Sequence, residues 1–245
     1  MASNVLKLLD SWEQVNHVME DHIRKLWQPS SQIKILEAGC GQRWPLNLSG
    51  IDFHLTGLDI DEDALNIRLE KSKDLQKAVV GDLRKDVLDS ESFDVVYCSF
   101  VLEHVSGAEA ALLNFVNWVK PGGIIILRIP DPESVHGFAT RVTPHWFHVL
   151  YYRLVLKLEN AGKPGHGPYP TYYDPVIWRA GMSEFCKKSN LPLVAEYGFS
   201  HIIPGRNVVT RLMGIFRFCV SLMSLGHLGH RHNNLLYIIQ KPAAQ

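Results

Sequence analysis

The stretch ILEAGCGQ, residues Ile35–Gln42, joins a short apolar run to a turn that contains two glycines. The apolar run favours a buried strand that ends in the acidic residue Glu37. Gly39 and Gly41 carry no Cβ, so backbone N–H groups in this turn can come close to a ligand. A nucleotide-like cofactor fits such a turn, but a plain strand-to-helix turn has the same local pattern. The sequence on either side of the stretch has to decide between these two interpretations.

Apolar runs alternate with helical segments on the carboxyl side of this stretch. The strand-like runs are IKILEAG (33–39), DFHLTGLDI (52–60), AVVGDL (78–83), FDVVYCSFV (93–101) and IIILRIP (124–130). Segments with helical spacing, such as EDALNIRLEKS and AALLNFVNWVKPGG, separate them. This alternation predicts an α/β fold with a mostly parallel sheet and right-handed crossovers. A ligand would then lie beyond the carboxyl ends of the strands.

Two aspartates close the second and third of these runs. Asp59 ends LTGLD, where its carboxylate could accept hydrogen bonds from both hydroxyls of a ribose. Asp82 ends VVGD, where a carboxylate and the neighbouring backbone amides could bind the edge of an adenine. Either aspartate alone is more commonly a turn residue or a helix cap. Together with the glycine turn, they favour a nucleotide-like cofactor.

Five motifs in this order resemble the class I S-adenosylmethionine-dependent methyltransferases. They are ILEAGCGQ, LTGLDIDEDAL, VVGDL, FDVVYCSFVLEHV and VKPGGIIILRIP, within residues 33–130. The resemblance implies a Rossmann-like, mostly parallel seven-stranded sheet flanked by helices, and S-adenosylmethionine as the cofactor. It places Glu37, Gly39 and Gly41 on the methionine and ribose side. The other cofactor-binding positions that it implies are Asp59 at the ribose hydroxyls, Ile60 beside it, Asp82 at the adenine with Leu83, and Ser99 and Phe100 flanking the cofactor.

The chain departs from the family pattern just after the glycine turn. The family often has a third glycine where this chain has Arg43, followed by Trp44 and Pro45. The connection to the second strand is also short, so we expect its helix to be reduced to a turn. Dinucleotide-dependent oxidoreductases share the G-x-G start, but the third glycine of their fingerprint is missing here and the GDL motif has no role in them.

The remaining segments predict how the chain is organised as a single methyltransferase domain, residues 1–245. Residues 1–30 would contain an amphipathic helix, since apolar residues recur at helical spacing between residues 4 and 27. Residues 31–130 would form the cofactor-binding core. Residues 131–175, rich in proline and aromatic residues, would form a helical or loop lid after the fifth strand, which we expect to be cleaved first between Gly162 and Gly167. Residues 176–245 would supply the C-terminal helices and the last strands.

Three histidines in the predicted lid are candidates for a catalytic base. His136, His145 and His148 follow the fifth strand, where the lid should cover the transferred methyl group. Histidine suits proton abstraction from a hydroxyl near neutral pH, although each one singly could be structural or solvated. Beside these histidines the insertion offers only two carboxylates, Asp131 and Glu133, so we expect no metal ion.

Composition and charge restrict the possible partners. Twenty-five lysines and arginines balance 25 aspartates and glutamates, so no global charge favours nucleic acid. The four scattered cysteines indicate reduced thiols, and no apolar run has the length of a membrane span. We therefore expect a cytoplasmic protein. The apolar, arginine-containing segment 207–225 could contact a membrane surface, form a dimer or pack on the sheet.

The resemblance predicts an enzyme that methylates a small-molecule or lipid-linked hydroxyl. Transfer from a sulfonium is an in-line displacement, so the protein mainly aligns the acceptor and removes a proton from it. N- or C-methylation of a small molecule remains an alternative. A regulatory module that binds the cofactor without transferring the methyl group is another.

Overall fold

The computed structural model describes residues 6–85, 87–154, 157–163, 167–200 and 208–243. The strands are β1 Lys7–Leu9, β2 Ile33–Ala38, β3 Phe53–Asp59, β4 Lys77–Val80, β5 Phe93–Ser99, β6 Val119–Pro130, β7 Leu193–Phe199 and β8 Asn234–Gln240. The helices are α1 Trp12–Leu26, α2 Glu62–Ile67, α3 Ala108–Trp118, α4 Val135–Val142, α5 His145–Leu154, α6 Arg179–Lys188 and α7 Val208–Met223.

All eight strands form one mixed sheet in the order β1-β7-β8-β6-β5-β2-β3-β4. β8 runs antiparallel to β6 and β7, and the other neighbouring pairs are parallel. The predicted α/β class and mostly parallel sheet are confirmed. The sheet has one strand more than predicted, β1 at the edge beside β7. The chain moves outward from β2 in one direction and returns to β5 on its other side, and ligands bind in sheets of this type at such a switch point.

The first residues of the described chain differ from the predicted continuous helix. Lys7–Leu9 pair with β7, and α1 begins only at Trp12. Ser11 caps the helix, because its hydroxyl accepts a hydrogen bond from the Gln14 N–H. The Gln14 side chain in turn accepts from the Asp10 N–H at 2.9 Å. These two hydrogen bonds, a variant of the capping box, separate strand from helix, which apolar spacing alone does not reveal.

Apolar cores cover both faces of the sheet. Val15, Met19 and Ile23 of α1 pack on one face with side chains of β2, β3 and β5. On the opposite face, α3 contributes Phe115 and Trp118 to the second cluster, which also contains residues of α6. Both cores hold the sheet rigid below the edge where its carboxyl ends meet.

The connections follow several of the predictions. No helix forms between β2 and β3, as the short segment predicted, and Leu46, Leu48 and Ile51 fill the core there instead. Pro175–Ile177 form a separate 3₁₀ turn before α6. The described residues between 131 and 175 contribute α4 and α5 and no strand of the sheet. Residues 164–166 of the expected cleavage region lie outside the described residues.

Candidate active site

A cavity of about 1500 Å³ opens at the carboxyl ends of β2, β3 and β5. A smaller one of about 230 Å³ adjoins it, and Gly39, Asp59 and His104 are among the residues on both walls. All nine residues predicted to bind the cofactor line one cavity or the other. The larger is lined by Glu37, Gly39, Gly41, Asp59, Ile60, Ser99 and Phe100, and the smaller adds Asp82 and Leu83. Sequence positions spread over 64 residues, from 37 to 100, therefore meet at one edge of the sheet.

The two glycines of the turn are required for different reasons. Gly39 has a φ of +72°, and a Cβ there would lie 2.4 Å from a methyl carbon of Val101. Gly41 also has a positive φ, +52°, but a Cβ there would meet no atom within 4 Å. Both conformations favour glycine. The free space above Gly41 is what a turn that approaches a ligand needs.

The Asp59 carboxylate stands beside this turn, and the backbone holds it in place. One oxygen accepts a hydrogen bond from the Gly41 N–H at 2.9 Å, and the other from the Asp61 N–H at 3.0 Å. A carboxylate oxygen can accept two hydrogen bonds, so each oxygen keeps one lone pair for a further donor. Two adjacent hydroxyls are such a pair of donors.

The second aspartate has a partner of its own. Arg84 forks onto Asp82, with Nε 3.0 Å and a terminal nitrogen 2.6 Å from its two oxygens. These hydrogen bonds lower the pKa of Asp82 to about 2. The carboxylate is thus ionised at neutral pH, while Arg84 already occupies both of its oxygens. A ligand amino group at Asp82 would share this carboxylate with Arg84.

A buried arginine supports the glycine turn from below. Arg68 is fully buried, and it donates to Glu37 at 2.9 Å, to Asp74 at 2.7 Å and to the Cys40 carbonyl at 2.8 Å. Burial raises the pKa of Glu37 to about 8, and Arg68 acts in the opposite direction. Arg68 therefore ties β2, the turn and the segment after α2 together.

A second buried cation, Arg128, lies on the wall of the larger cavity. Its guanidinium donates to the hydroxyls of Ser99, at 2.9 Å, and of Tyr97. Its central carbon also lies 5.2 Å from the ring centre of Trp12 and 5.5 Å from that of Phe100. Among the described residues, none of its hydrogen bonds goes to a carboxylate. Burial lowers the pKa of Arg128, but guanidinium groups remain charged in proteins. The wall thus carries a positive charge suited to an anionic group of a ligand.

Two polar atoms of the cavity wall have no hydrogen-bond partner in the described structure. Asn16 Oδ1 and Trp44 Nε1 are buried and form no hydrogen bond in the described structure. Buried polar groups are normally paired, because leaving one unpaired costs about 1–3 kcal/mol. Asn16 Oδ1 is a hydrogen-bond acceptor, and Trp44 Nε1 is a donor. They would pair with a polar ligand that carries both kinds of group.

The three histidines predicted as bases do not line either cavity. His136 on α4 and His145 at the start of α5 are exposed. The His148 Nε2 forms a hydrogen bond with the Thr143 hydroxyl. The suggestion that one of the three is the base stays a prediction, without support from the walls of the cavity.

His104 is the histidine that the described chain places on the cavity wall. Its Nδ1 lies 2.7 Å from the carbonyl oxygen of Pro170, and because a carbonyl only accepts, Nδ1 carries the proton. The other nitrogen, Nε2, is then free to accept a proton. Burial lowers the pKa of His104, and His145 adds to this effect. The ring is therefore neutral at neutral pH and able to act as a base.

The chain around His104 is anchored to the segment after α5. The Tyr172 N–H donates to the Glu103 carbonyl at 2.8 Å, and the Tyr169 ring packs edge-on against His104. Asp174 accepts from the N–H groups of Gly107 and Ala108, at the start of α3. Residues 167–174 thus form a covering strap, the described part of the predicted lid that reaches the cavity. Whether the strap moves stays a prediction.

Glu103 lies beneath His104. Burial raises its pKa to about 8, and its Oε2 has no hydrogen-bond partner in the described structure. Its Oε1 is 3.8 Å from Nε2 of His104, too far for a hydrogen bond. With a pKa of about 8, the Glu103 carboxyl is mostly protonated at neutral pH and adds little negative charge beside His104.

Several wall residues were not among the predicted site residues. They include Trp12, Asn16, Trp44, His104 and Arg128. Two had a signal in the sequence. Arg128 is a charged residue inside the apolar run IIILRIP, and His104 stands in LEHV just after a strand, where ligands of such sheets lie. Trp12 and Asn16 come from α1, whose approach to the cavity no local pattern reveals.

Comparison with known proteins identifies the family to which the chain belongs. A model of the methyltransferase domain, Methyltransf_23, matches residues 11–171, which include every cavity residue except Tyr172. The chain belongs to the class I S-adenosylmethionine-dependent methyltransferases. The cofactor of this family is S-adenosylmethionine, as the resemblance implied. The S-adenosylmethionine-dependent methyltransferase of Archaeoglobus fulgidus superposes with a TM-score of 0.53 at 15% identity, covering 94% of this chain and 95% of that one. At this identity the likeness shows the fold alone.

Two relatives of this methyltransferase differ in the atom that they methylate. The ubiquinone biosynthesis O-methyltransferase of Rickettsia prowazekii (strain Madrid E) is 30% identical over 126 residues, which is 46% of this chain and 48% of that protein. Phosphoethanolamine N-methyltransferase 1 of Arabidopsis thaliana is 29% identical over 105 residues, 38% of this chain and 20% of that protein. This methyltransferase thus spans about half the length of the first relative and a fifth of the second.

The described residues contain no helix with the length and apolar character that a membrane span requires. In the same part of the chain, no three histidine, cysteine or acidic side chains are grouped as a metal site would need.

Proposed function

We propose that this methyltransferase transfers the methyl group of S-adenosylmethionine to a hydroxyl of a small molecule that carries a flat ring. The observation that carries the proposal is the shared cavity of Asp59 and His104. Asp59 suits the ribose of the cofactor, and His104 suits removal of a proton from the acceptor.

The residues of the cavity fit S-adenosylmethionine. The free lone pairs of Asp59 suit the two ribose hydroxyls, and the open space above Gly41 suits a close approach to the backbone. The methionine end is a zwitterion. Its ammonium group suits the unpaired Asn16 Oδ1, and its carboxylate suits Arg128 or the unpaired Trp44 Nε1. The smaller cavity, with Asp82 and Leu83, is left for the adenine.

The residues of this chain supply alignment and a base. When bound, S-adenosylmethionine supplies a methyl group on a positively charged sulfur. Trp12, Phe100 and Tyr169 place aromatic rings on the cavity wall. His104 Nε2 accepts the proton of the acceptor hydroxyl, while the hydrogen bond from Nδ1 to Pro170 holds the ring.

The walls of the larger cavity favour an aromatic acceptor. The rings of Trp12, Trp44, Phe100 and Tyr169 line it, and such faces stack on or pack against flat rings. A cavity of about 1500 Å³ also exceeds the 300–1000 Å³ typical of pockets for drug-sized ligands. It therefore offers room for an acceptor beside the cofactor.

Release of S-adenosylhomocysteine tests the proposed function. We expect release when a catechol is the acceptor, at a rate that falls at low pH as His104 takes up a proton. A primary amine should react more slowly, because its positively charged form has no lone pair to attack the methyl group. Faster release with the amine would favour N-methylation, and no release with any acceptor would favour the regulatory module.

Replacement of Asp59 by alanine should weaken binding of S-adenosylhomocysteine about ten- to a hundredfold. The reason is the loss of hydrogen bonding to a charged group, about 1.5–3 kcal/mol in total. Isothermal titration calorimetry measures this affinity. Asp63→Ala is the control, since Asp63 is exposed and lines neither cavity. Equal affinities for both variants would place the ribose elsewhere.

We further infer that the predicted segment 207–225, described from Val208 onward, is a contact surface rather than a helix packed on the sheet. The carrying observation is the exposure of most of its large apolar side chains.

A further inference from the structure

Helix α7 carries its apolar stripe on the side that faces solvent. Leu212, Ile215, Phe216, Leu222 and Met223 lie within about one third of the helix circumference at 3.6 residues per turn, so they share one face, and all are exposed. The exposed fraction is 66% for Phe216 and 82% for Met223.

Two polar residues of α7, Arg217 and Ser221, face the protein instead. Ser221 is buried, and its hydroxyl donates to the Leu228 carbonyl at 2.7 Å. Arg217 donates to the His230 carbonyl. This orientation is the reverse of that expected for a surface helix of a monomeric soluble protein.

Helix α5 exposes a second apolar stripe. None of its residues is buried, and Trp146, Leu150 and Leu154 follow one another at intervals of four on an exposed face. Helix α4 connects the two helices, because it contacts α7 and its following residue Thr143 is hydrogen-bonded to His148 of α5. We call the exposed stripes of α5 and α7 the apolar face.

The segments that carry the apolar face have no acidic residues. Neither residues 134–158 nor residues 197–245 contain an aspartate or a glutamate. Basic residues of these segments include Arg141, Arg153, Lys157, Arg211 and Arg231, and all five are exposed. Since the whole chain has a net charge of zero, the acidic residues are concentrated elsewhere. The apolar face therefore lies in a positively charged region.

We propose that the apolar face docks onto the surface of an anionic lipid bilayer. Apolar side chains of amphipathic helices enter the boundary between headgroups and acyl chains, while basic residues around them contact lipid phosphates. Trp146 and Tyr151 have the amphipathic rings that favour this depth. A second copy of the chain is a poorer partner, because two positively charged regions without acidic residues would be brought together.

Co-sedimentation with lipid vesicles tests the docking. We expect binding to vesicles of phosphatidylcholine with phosphatidylglycerol, weaker binding at higher salt, and little binding to phosphatidylcholine alone. Phe216→Glu should reduce binding about tenfold or more, because it replaces an inserted ring by a charge that anionic lipids repel. Arg211→Gln should reduce it about fivefold. Leu113→Glu is the matched control, since Leu113 is exposed on α3, outside the apolar face.

The outcomes distinguish docking from self-association and from misfolding. Unchanged circular dichroism spectra establish that the variants are folded. The proposal is overturned by wild-type protein that stays in the supernatant with anionic vesicles, or by equal binding to neutral vesicles at every salt concentration. It is also overturned if light scattering shows a dimer that Phe216→Glu dissociates.

Discussion

Replacement of His104 by alanine should lower turnover with a hydroxyl acceptor about 10²- to 10⁴-fold, the usual contribution of a positioned base. Affinity for S-adenosylhomocysteine should change little, because the proposed contacts to the cofactor come from Asp59, Arg128 and the glycine turn. The acidic limb of the pH–rate profile should disappear as well. In the wild type this limb should lie below the ordinary pKa of histidine, since burial lowers the pKa of His104.

The three histidines predicted from the sequence provide the controls. His148→Ala removes a ring that is bonded to Thr143 and does not line the cavity, so the rate and pH profile should remain those of the wild type. His136→Ala and His145→Ala should also retain the acidic limb. If one of these variants loses it while His104→Ala keeps it, the base lies in the insertion, as the sequence suggested.

Replacement of Arg68 by methionine should lower the free energy of unfolding by about 3–5 kcal/mol, the usual cost of removing one partner of a buried ion pair. The side chain is fully buried, and its loss leaves Glu37 without its partner and Asp74 without the bond from Nε. It also frees the Cys40 carbonyl in the glycine turn. Urea denaturation measures the change.

An exposed ion pair is the control for Arg68. Lys188 pairs with Glu184 four residues earlier on α6, at 2.8 Å, and both side chains are largely exposed. Lys188→Met should leave the midpoint of urea denaturation unchanged within error, since solvent screens such pairs. If Arg68→Met were as stable as Lys188→Met, Arg68 would not be the support of the turn.

The core of the fold could be predicted from sequence because its signals are local. Apolar runs that end in glycine or aspartate mark the carboxyl ends of parallel strands, and parallel topology brings those ends together. This reasoning predicted that Gly39, Asp59 and Asp82 lie at one edge of the sheet, each at or just after the end of a different strand. Strand β1, which the seven-stranded prediction lacked, could not be predicted. Lys7–Leu9 is short, and its strand conformation depends on pairing with β7, 190 residues later.

The parts of the site that were missed depend on tertiary contacts. His104 is significant because the Pro170 carbonyl, 66 residues later, fixes its proton on Nδ1. In the sequence, Arg128 is only a charged residue within an apolar strand. Its place on the cavity wall depends on the rings of Trp12 and Phe100, which pack against it in the folded protein. The histidines of the insertion had the expected residue type and topological position, but α4 and α5 place them away from the cavity wall.

The most direct measurement of the central claim is a calorimetric titration of the wild-type protein with S-adenosylhomocysteine, beside an identical titration with NAD. We expect saturable heat with S-adenosylhomocysteine, a dissociation constant of about 1 μM, corresponding to about −8 kcal/mol, and no heat with NAD. Saturable binding of NAD, with no heat from S-adenosylhomocysteine, would contradict the assignment of this cavity to S-adenosylmethionine.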